Sequence, residues 1–209
     1  MCKYHNKYRV ESTRLRDWDY SSSGYYFITI CMQNRVNCFG AIIGGCVKLS
    51  EIGGMADKLW NEIPRYFQFA KIDNYIVMPN HIHGILAINR RDAINRDAIG
   101  RDAIGRDAIG RDAIGRDAIN RVSTLKCGGI TGRHNPMNAN SLSRIIRWYK
   151  GRTTFEIHKL QTGRFFRWQE RFYEHVIRDE KSLHAIRQYI VDNPIKWESD
   201  PENPSIVRN

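Results

Sequence analysis

Two imidazoles placed two residues apart, His81-Ile82-His83, are the feature of this 209-residue chain best suited to chemistry. On a β-strand alternate side chains share a face, so both rings project together while Ile82 enters the opposite side. Converging imidazoles make half of a site for a divalent metal. The same string also serves as a hydrogen-bonded structural pair, because His-x-His arises by chance and carries little specificity alone. A second candidate lies near the C-terminus. Leu183, Ile186 and Ile190 recur as the core-facing stripe of a helix that opens at Asp179 and runs to about Asp192. At about 100° per residue, Tyr189 and Asn193 fall together on one flank of that stripe. A tyrosine hydroxyl can attack a phosphate, and an amide oxygen one turn later can complete a metal site. Spacing alone leaves plainer roles open: Tyr189 as a boundary residue, and Asn193 as a helix terminus, since Pro194 disfavours a helical conformation at the residue before it.

Positive charge is the next signal. The chain carries 33 Lys+Arg against 22 Asp+Glu, a formal charge of +11 with a pI near 9.6, which favours a polyanionic partner. Arg144, Arg147, Lys150 and Arg152 lie on a predicted helix, Ser141 to Thr154, whose other face carries Leu142, Ile145, Ile146 and Tyr149. Arg164, Arg167 and Arg171 interleave with Phe165, Phe166 and Trp168. Cations that track phosphates next to rings that stack on bases form a single-strand binding surface. The competing reading makes the cations a solvated face and the rings core. Tyr149 and Tyr173 compete with Tyr189 as nucleophiles, but their positions in a core stripe and an aromatic cluster point to structural roles.

The elements that must position these residues alternate along the chain. Tyr25 to Met32 is aromatic and β-branched and predicts a buried strand. Residues 46–49 form a short second strand, and Ile52, Met55, Leu59 and Ile63 recur at helical spacing from Ser50 until Pro64 ends the helix. Asp73 to Met78 and His81 to Ile88 are strands joined by a tight Pro79-Asn80 junction, which suggests a hairpin or a sharp bend. Strands and helices in one compact unit imply an α/β or α+β sandwich. Residues 91–120 interrupt the pattern with six copies of Arg-Asp-Ala-Ile followed by Asn or Gly. A period of five suits neither helix nor strand, so the array is expected to be a flexible, disordered surface insertion. Each copy is neutral, and the excess of positive charge therefore belongs to the rest of the chain. No apolar run approaches the roughly 18 residues that span a bilayer, which argues against a membrane protein. The N-terminal residues lack a signal-peptide apolar segment, and the five cysteines form no Cys-x-x-Cys pair. A reducing, cytoplasmic setting is the expectation.

Taken in order, five segments resemble the REP-associated tyrosine transposases, which are single-tyrosine transposases of the HUH superfamily. They are Tyr26-Phe27-Ile28-Thr29, Asn74 to Gly84 with its Met78-Pro79-Asn80-His81-Ile82-His83 string, Ile145 to Lys150, Trp168 to Asp179, and Tyr189-Ile190-Val191-Asp192-Asn193-Pro194. The array has no counterpart in the family pattern. The resemblance implies one catalytic domain over 1–209, a ferredoxin-like α+β sandwich with helices packed on an antiparallel sheet and the histidines on a central strand. It further implies His81, His83 and Asn193 as ligands of Mg²⁺ or Mn²⁺ and Tyr189 as the nucleophile forming a 5′-phosphotyrosine. The implied substrate is single-stranded DNA with a REP-like hairpin, bound by a monomer or homodimer. Two other readings stay open: a hairpin-binding module of the same fold without chemistry, and a metal hydrolase that activates water.

Overall fold

The computed structural model describes residues 18–89 and 141–205, together with the paired strands β1 (Lys3–Tyr4) and β2 (Lys7–Tyr8). The pentapeptide array at 91–120 lies outside the described residues. Four antiparallel strands form the main sheet: β3 (Gly24–Cys31), β6 (Ala70–Val77), β7 (His81–Ile88) and β8 (Tyr173–Ile177), in the order β6-β7-β3-β8. A hairpin of β4 (Gly40–Ile43) and β5 (Cys46–Leu49) stands apart from it. Helices α1 (Glu51–Asn61), α2 (Ile63–Tyr66), α3 (Leu142–Ile157) and α4 (Glu180–Asp192) complete an α+β fold. Among the described residues, no helix is long and apolar enough to cross a membrane.

Side-chain alternation divides the sheet into two faces. Tyr26, Ile28 and Ile30 of β3 and Ile82 and Leu86 of β7 enter a large core with Trp60 of α1 and Leu142, Ile145, Ile146 and Tyr149 of α3. Tyr149 is fully buried and donates its hydroxyl to the Ala56 carbonyl at 2.9 Å, a structural role as the residue pattern suggested. The opposite face, bearing Phe27 and Ile85, packs against Leu183 and Ile190 of α4 in a smaller cluster. His81 and His83 share that second face.

Gly84 follows His83 and faces α1. A Cβ there would stand 2.3 Å from Cζ2 of Trp60, whose ring is fully buried. Interiors are close-packed, so Gly84→Ala is expected to cost about 1–3 kcal/mol through overpacking. Urea unfolding reads this as a lowered midpoint; an unchanged midpoint would mean that the indole can yield.

Several elements differ from the sequence expectation. Pro64 does not end a helix; it sits in the first turn of α2, where its missing N–H costs nothing. β6 begins three residues earlier than Asp73, and β4, the partner of β5, has no clear pattern of its own. β8 lies hidden in the aromatic 164–176 stretch. Tyr173 is 51% exposed at the sheet edge, not enclosed in a cluster, although its ring meets Phe27 edge-on. Asn193 keeps helical angles (φ −56, ψ −42) despite Pro194, because it is buried and the following turn closes with Ile195 N–H and Lys196 N–H on the Asp192 carbonyl.

Candidate active site and metal centre

Register brings the parts of the site together. In the β3–β7 pairing Thr29 lies opposite His83 and Cys31 opposite His81. The Pro79-Asn80 junction is a tight turn, with Met78 N–H bonded to the His81 carbonyl at 2.8 Å, and it delivers both histidines at the start of β7. Their ring centroids are 4.4 Å apart. α4 begins at Asp179, whose carboxylate accepts from Ser182 N–H as an N-cap. A bulge in β6 between Ile72 and Tyr75 turns Asp73 and Asn74 toward this helix. The Asp73 carboxylate pairs with both arms of the Arg187 guanidinium, and Asn74 donates to the Arg187 carbonyl. Two residues later, Tyr189 reaches the histidines. Its Oη lies 3.2 Å from His83 Nε2, and its ring meets those of His83 and Phe27.

Hydrogen bonding fixes which ring nitrogen of His81 carries the proton. Asn80 Nδ2 donates to two carbonyls, those of Arg35 at 3.1 Å and Glu202 at 2.8 Å, so its amide orientation is set. Asn80 Oδ1 can then only accept, and the 2.8 Å contact to His81 Nδ1 requires that nitrogen to be protonated. His81 Nε2 is left as a bare lone pair, buried without a hydrogen-bond partner. His83 sits between two hydroxyls that can each donate or accept, with Tyr189 Oη 3.2 Å from Nε2 and Thr29 Oγ1 2.9 Å from Nδ1. Asp200, from the segment after α4, brings Oδ2 to 4.0 Å from His81 Nε2, and ligand atoms of His81, His83 and Asp200 lie within 4.8 Å of one another. Asp200 Oδ1 accepts from Glu202 N–H, while Oδ2 has no hydrogen-bond partner. Asn193 Oδ1 is likewise buried and unpartnered.

Buried acceptors without donors cost several kcal/mol unless something positive meets them. The two neutral imidazoles and the Asp200 carboxylate are a donor set that could hold a divalent cation of intermediate softness. The electrostatics agree. Burial, with Arg35 adding to it, pushes His81 down to about 3; burial and neighbouring His81 hold His83 well below the ordinary range. Both rings are therefore neutral, as metal ligands must be. Burial and then the Asp200 charge raise the Tyr189 phenol, while the Asn193 side chain opposes this by hydrogen-bonding to it.

The histidine shifts predict acid sensitivity. In the unfolded chain each imidazole takes a proton near pH 6.5, whereas folded His81 does so only near 3. Between these values the unfolded state binds more protons, so stability falls as pH falls, by up to about 1.4 kcal/mol per unit and per histidine. Chelator-treated protein is expected to lose urea resistance steadily from about pH 6.5 downward. Stability that stays flat between pH 6.5 and 4 contradicts two buried neutral rings.

The basic candidates divide. Arg147, Arg164, Arg167 and Arg171 are exposed, and Arg144 is half-buried. Lys150 is engaged within the chain, donating to the carbonyls of Gln169 and Glu170, and Arg152 pairs with Glu156 at 2.8 Å. Trp168 is half-buried against the large core, pairs with Met32 through a β-bridge and touches Phe39 and Phe166. The ring that faces solvent is Phe165, 88% exposed between Arg164 and Arg167. This loop is docked at the histidine end of the sheet, since Gln169 N–H bonds the Cys31 carbonyl and Gln33 N–H the Arg167 carbonyl. Thr29, Asn80 and Asp200 reach the site without having been marked as site residues. Asn80 stands in the Met-Pro-Asn-His string, a usable signal; Asp200 follows no periodic pattern and has none.

A central His-x-His strand in a four-stranded antiparallel sheet, with a tyrosine helix across it, defines the class of fold. No protein-family model matches the chain. It is 33% identical over 189 residues, covering 90% of both chains, to an uncharacterized protein of Haemophilus influenzae, and it belongs to that protein's family. Among solved structures it is similar to a REP-associated tyrosine transposase bound to a REP hairpin, with TM-score 0.50 and 18% identity over 89% of this chain and 74% of that one. At that identity the likeness shows the fold.

Proposed function

We propose that this chain is a tyrosine transposase of the HUH kind: a metal-dependent single-strand endonuclease and strand transferase acting on hairpin-containing single-stranded DNA. The observation that carries this reading is the 3.2 Å approach of Tyr189 Oη to His83 Nε2 beside buried, unpartnered acceptors. The fold shared with a transposase bound to a REP hairpin supports the substrate class. His81, His83 and Asn193 would hold Mg²⁺ or Mn²⁺, with Asp200 in reach; two imidazoles favour Mn²⁺ over oxygen-seeking Mg²⁺. Once bound, the cation would supply positive charge that polarises the scissile phosphate and offsets charge on the leaving oxygen.

Tyr189 attacks phosphorus in line. Its oxygen forms the new P–O bond, the bond to the 3′ oxygen breaks, and a 5′-phosphotyrosine and a free 3′-hydroxyl result. The phenol proton passes to solvent, and the leaving oxygen takes one up. Thr29 and Asn80 keep the imidazoles oriented throughout. Because the covalent link conserves the phosphodiester, rejoining to another 3′-hydroxyl requires no ATP, and the sequence has no Gly-x-x-x-x-Gly-Lys phosphate loop. Arg144, Arg147, Arg164, Arg167 and Arg171 would track phosphates while Phe165 offers a face for a base. Lys150, Arg152 and Trp168 would support that surface from within. The proposal takes 1–209 as one catalytic domain carrying the array as an insertion, acting in the cytoplasm as a monomer or homodimer.

The test is a denaturing gel of protein incubated with Mn²⁺ and hairpin-bearing single-stranded DNA. A covalent adduct at Tyr189 is expected; wild-type protein that binds the DNA and never forms one overturns the catalytic reading in favour of a binding module.

A further inference from the structure

At the end of β3, beside Cys31 and hence beside His81, the chain reverses through Gln33–Arg35. Asn34 and Arg35 are both left-handed, at φ 56 and 53, and they are the described non-glycine residues with positive φ. Such backbone is strained for a residue with a Cβ and persists where surroundings over-determine it, often at functional sites. Here the surroundings are the site itself. Asn80 donates to the Arg35 carbonyl and, through its other amide atom, accepts from His81, so one side chain ties the strained turn to the metal-facing imidazole.

The turn carries the Arg35 guanidinium to the rim of the site. There it holds two oxygens: Nε lies 3.2 Å from Glu202 Oε2, and Nη1 donates to the Pro201 carbonyl at 3.1 Å. One of those oxygens is anionic and the other is a neutral acceptor. A phosphodiester offers two non-bridging oxygens that share one negative charge, and a planar guanidinium fork can hold such a pair in place of these two. Both oxygens belong to the segment that follows α4 and crosses the site with Asp200.

Resting on the function proposed above, we propose that Arg35 is a substrate ligand, gripping a phosphate of the bound single strand beside the reacting centre. The Glu202 carboxylate occupies that place when no strand is bound. Arg35 is not a nucleophile or a metal ligand; it sets where the strand lies relative to Tyr189.

The experiment measures binding of a fluorescent hairpin-bearing single strand across a salt series, in chelator so that nothing is cleaved, for Arg35→Gln, Arg35→Lys and Glu202→Gln, each checked for folding by thermal unfolding. Arg35→Gln is expected to weaken binding on the order of tenfold and to flatten the log–log salt slope by about 0.7, one phosphate contact on a single strand. Arg35→Lys should restore the slope but not the full affinity. Glu202→Gln breaks the same ion pair from the other side and should bind at least as tightly as wild type. Equal weakening by Arg35→Gln and Glu202→Gln, or an unchanged slope, overturns the proposal and makes Arg35 an anchor for the C-terminal segment. The two readings fail separately. An adduct with an unchanged Arg35→Gln slope removes only the phosphate contact, whereas a flattened slope without any adduct removes only the chemistry.

Discussion

Replacing Tyr189 with phenylalanine is expected to abolish the covalent protein–DNA adduct, slowing its formation by about 10³-fold or more, while leaving hairpin binding nearly unchanged. The change removes one atom, the oxygen proposed to form the bond to phosphorus. The ring keeps its contacts with His83 and Phe27, and the side chain is 42% exposed, so helix α4 has no reason to shift. Losing the hydroxyl's hydrogen bond to His83 costs about 1 kcal/mol, too little to unfold the domain. Tyr173→Phe is the control. Tyr173 pairs with Thr29 in the β3–β8 register, in the same cross-strand row as His83, yet its role in this reading is not chemical. An adduct that survives Tyr189→Phe but vanishes in Tyr173→Phe would move the nucleophile to the sheet edge. Cleavage that survives in both and leaves free 5′-phosphates would instead point to an activated water.

Metal binding should produce the other large effect. A cation that binds only the folded chain stabilises it by about 2.7 kcal/mol at 100 times its dissociation constant, which for a domain of this size raises the unfolding midpoint by about 5–10 °C. Mn²⁺ is expected to do this for wild-type protein, Mg²⁺ to do so more weakly, and excess chelator to reverse both. His81→Gln and His83→Gln should lose the response, because each removes a ring nitrogen that faces the other ligands. Asp200→Asn is more discriminating. It keeps the shape and removes the charge, so a reduced Mn²⁺ response assigns Asp200 to the metal. An undiminished one leaves the ion to His81, His83 and Asn193. No Mn²⁺-dependent shift in wild-type protein would mean that the buried acceptors serve something other than a divalent cation.

How much of this could be foreseen varies with the physics involved. Strand alternation places His81 and His83 on one face wherever the strand goes, and helical spacing places Asn193 beside Tyr189 whatever the helix packs on. Those statements need only local geometry; the order of such elements leaves α/β and α+β open, and the α+β class rested on the family resemblance. β8 escaped because an edge strand of five residues, with two exposed and three buried, has too short a period to stand out among its aromatic neighbours. The helical angles of Asn193 escaped because a proline's local preference is a weak force against burial and a closing turn.

The apposition of phenol and imidazole across 106 residues is a different kind of fact. It depends on a bulge in β6 that presents Asp73 to Arg187, on α4 burying Leu183 and Ile190 over the histidine face, and on the β3 register that sets Thr29 against His83. The chain alone therefore determined which side chains were chemically capable and which way each would face along its own element. Tertiary packing decided which of them meet, how the His81 tautomer is set through Asn80, and that Asp200 and Arg35 join the group. Contacts between distant segments are chosen by burial and hydrogen bonding over the whole domain, and no stretch of sequence contains that sum.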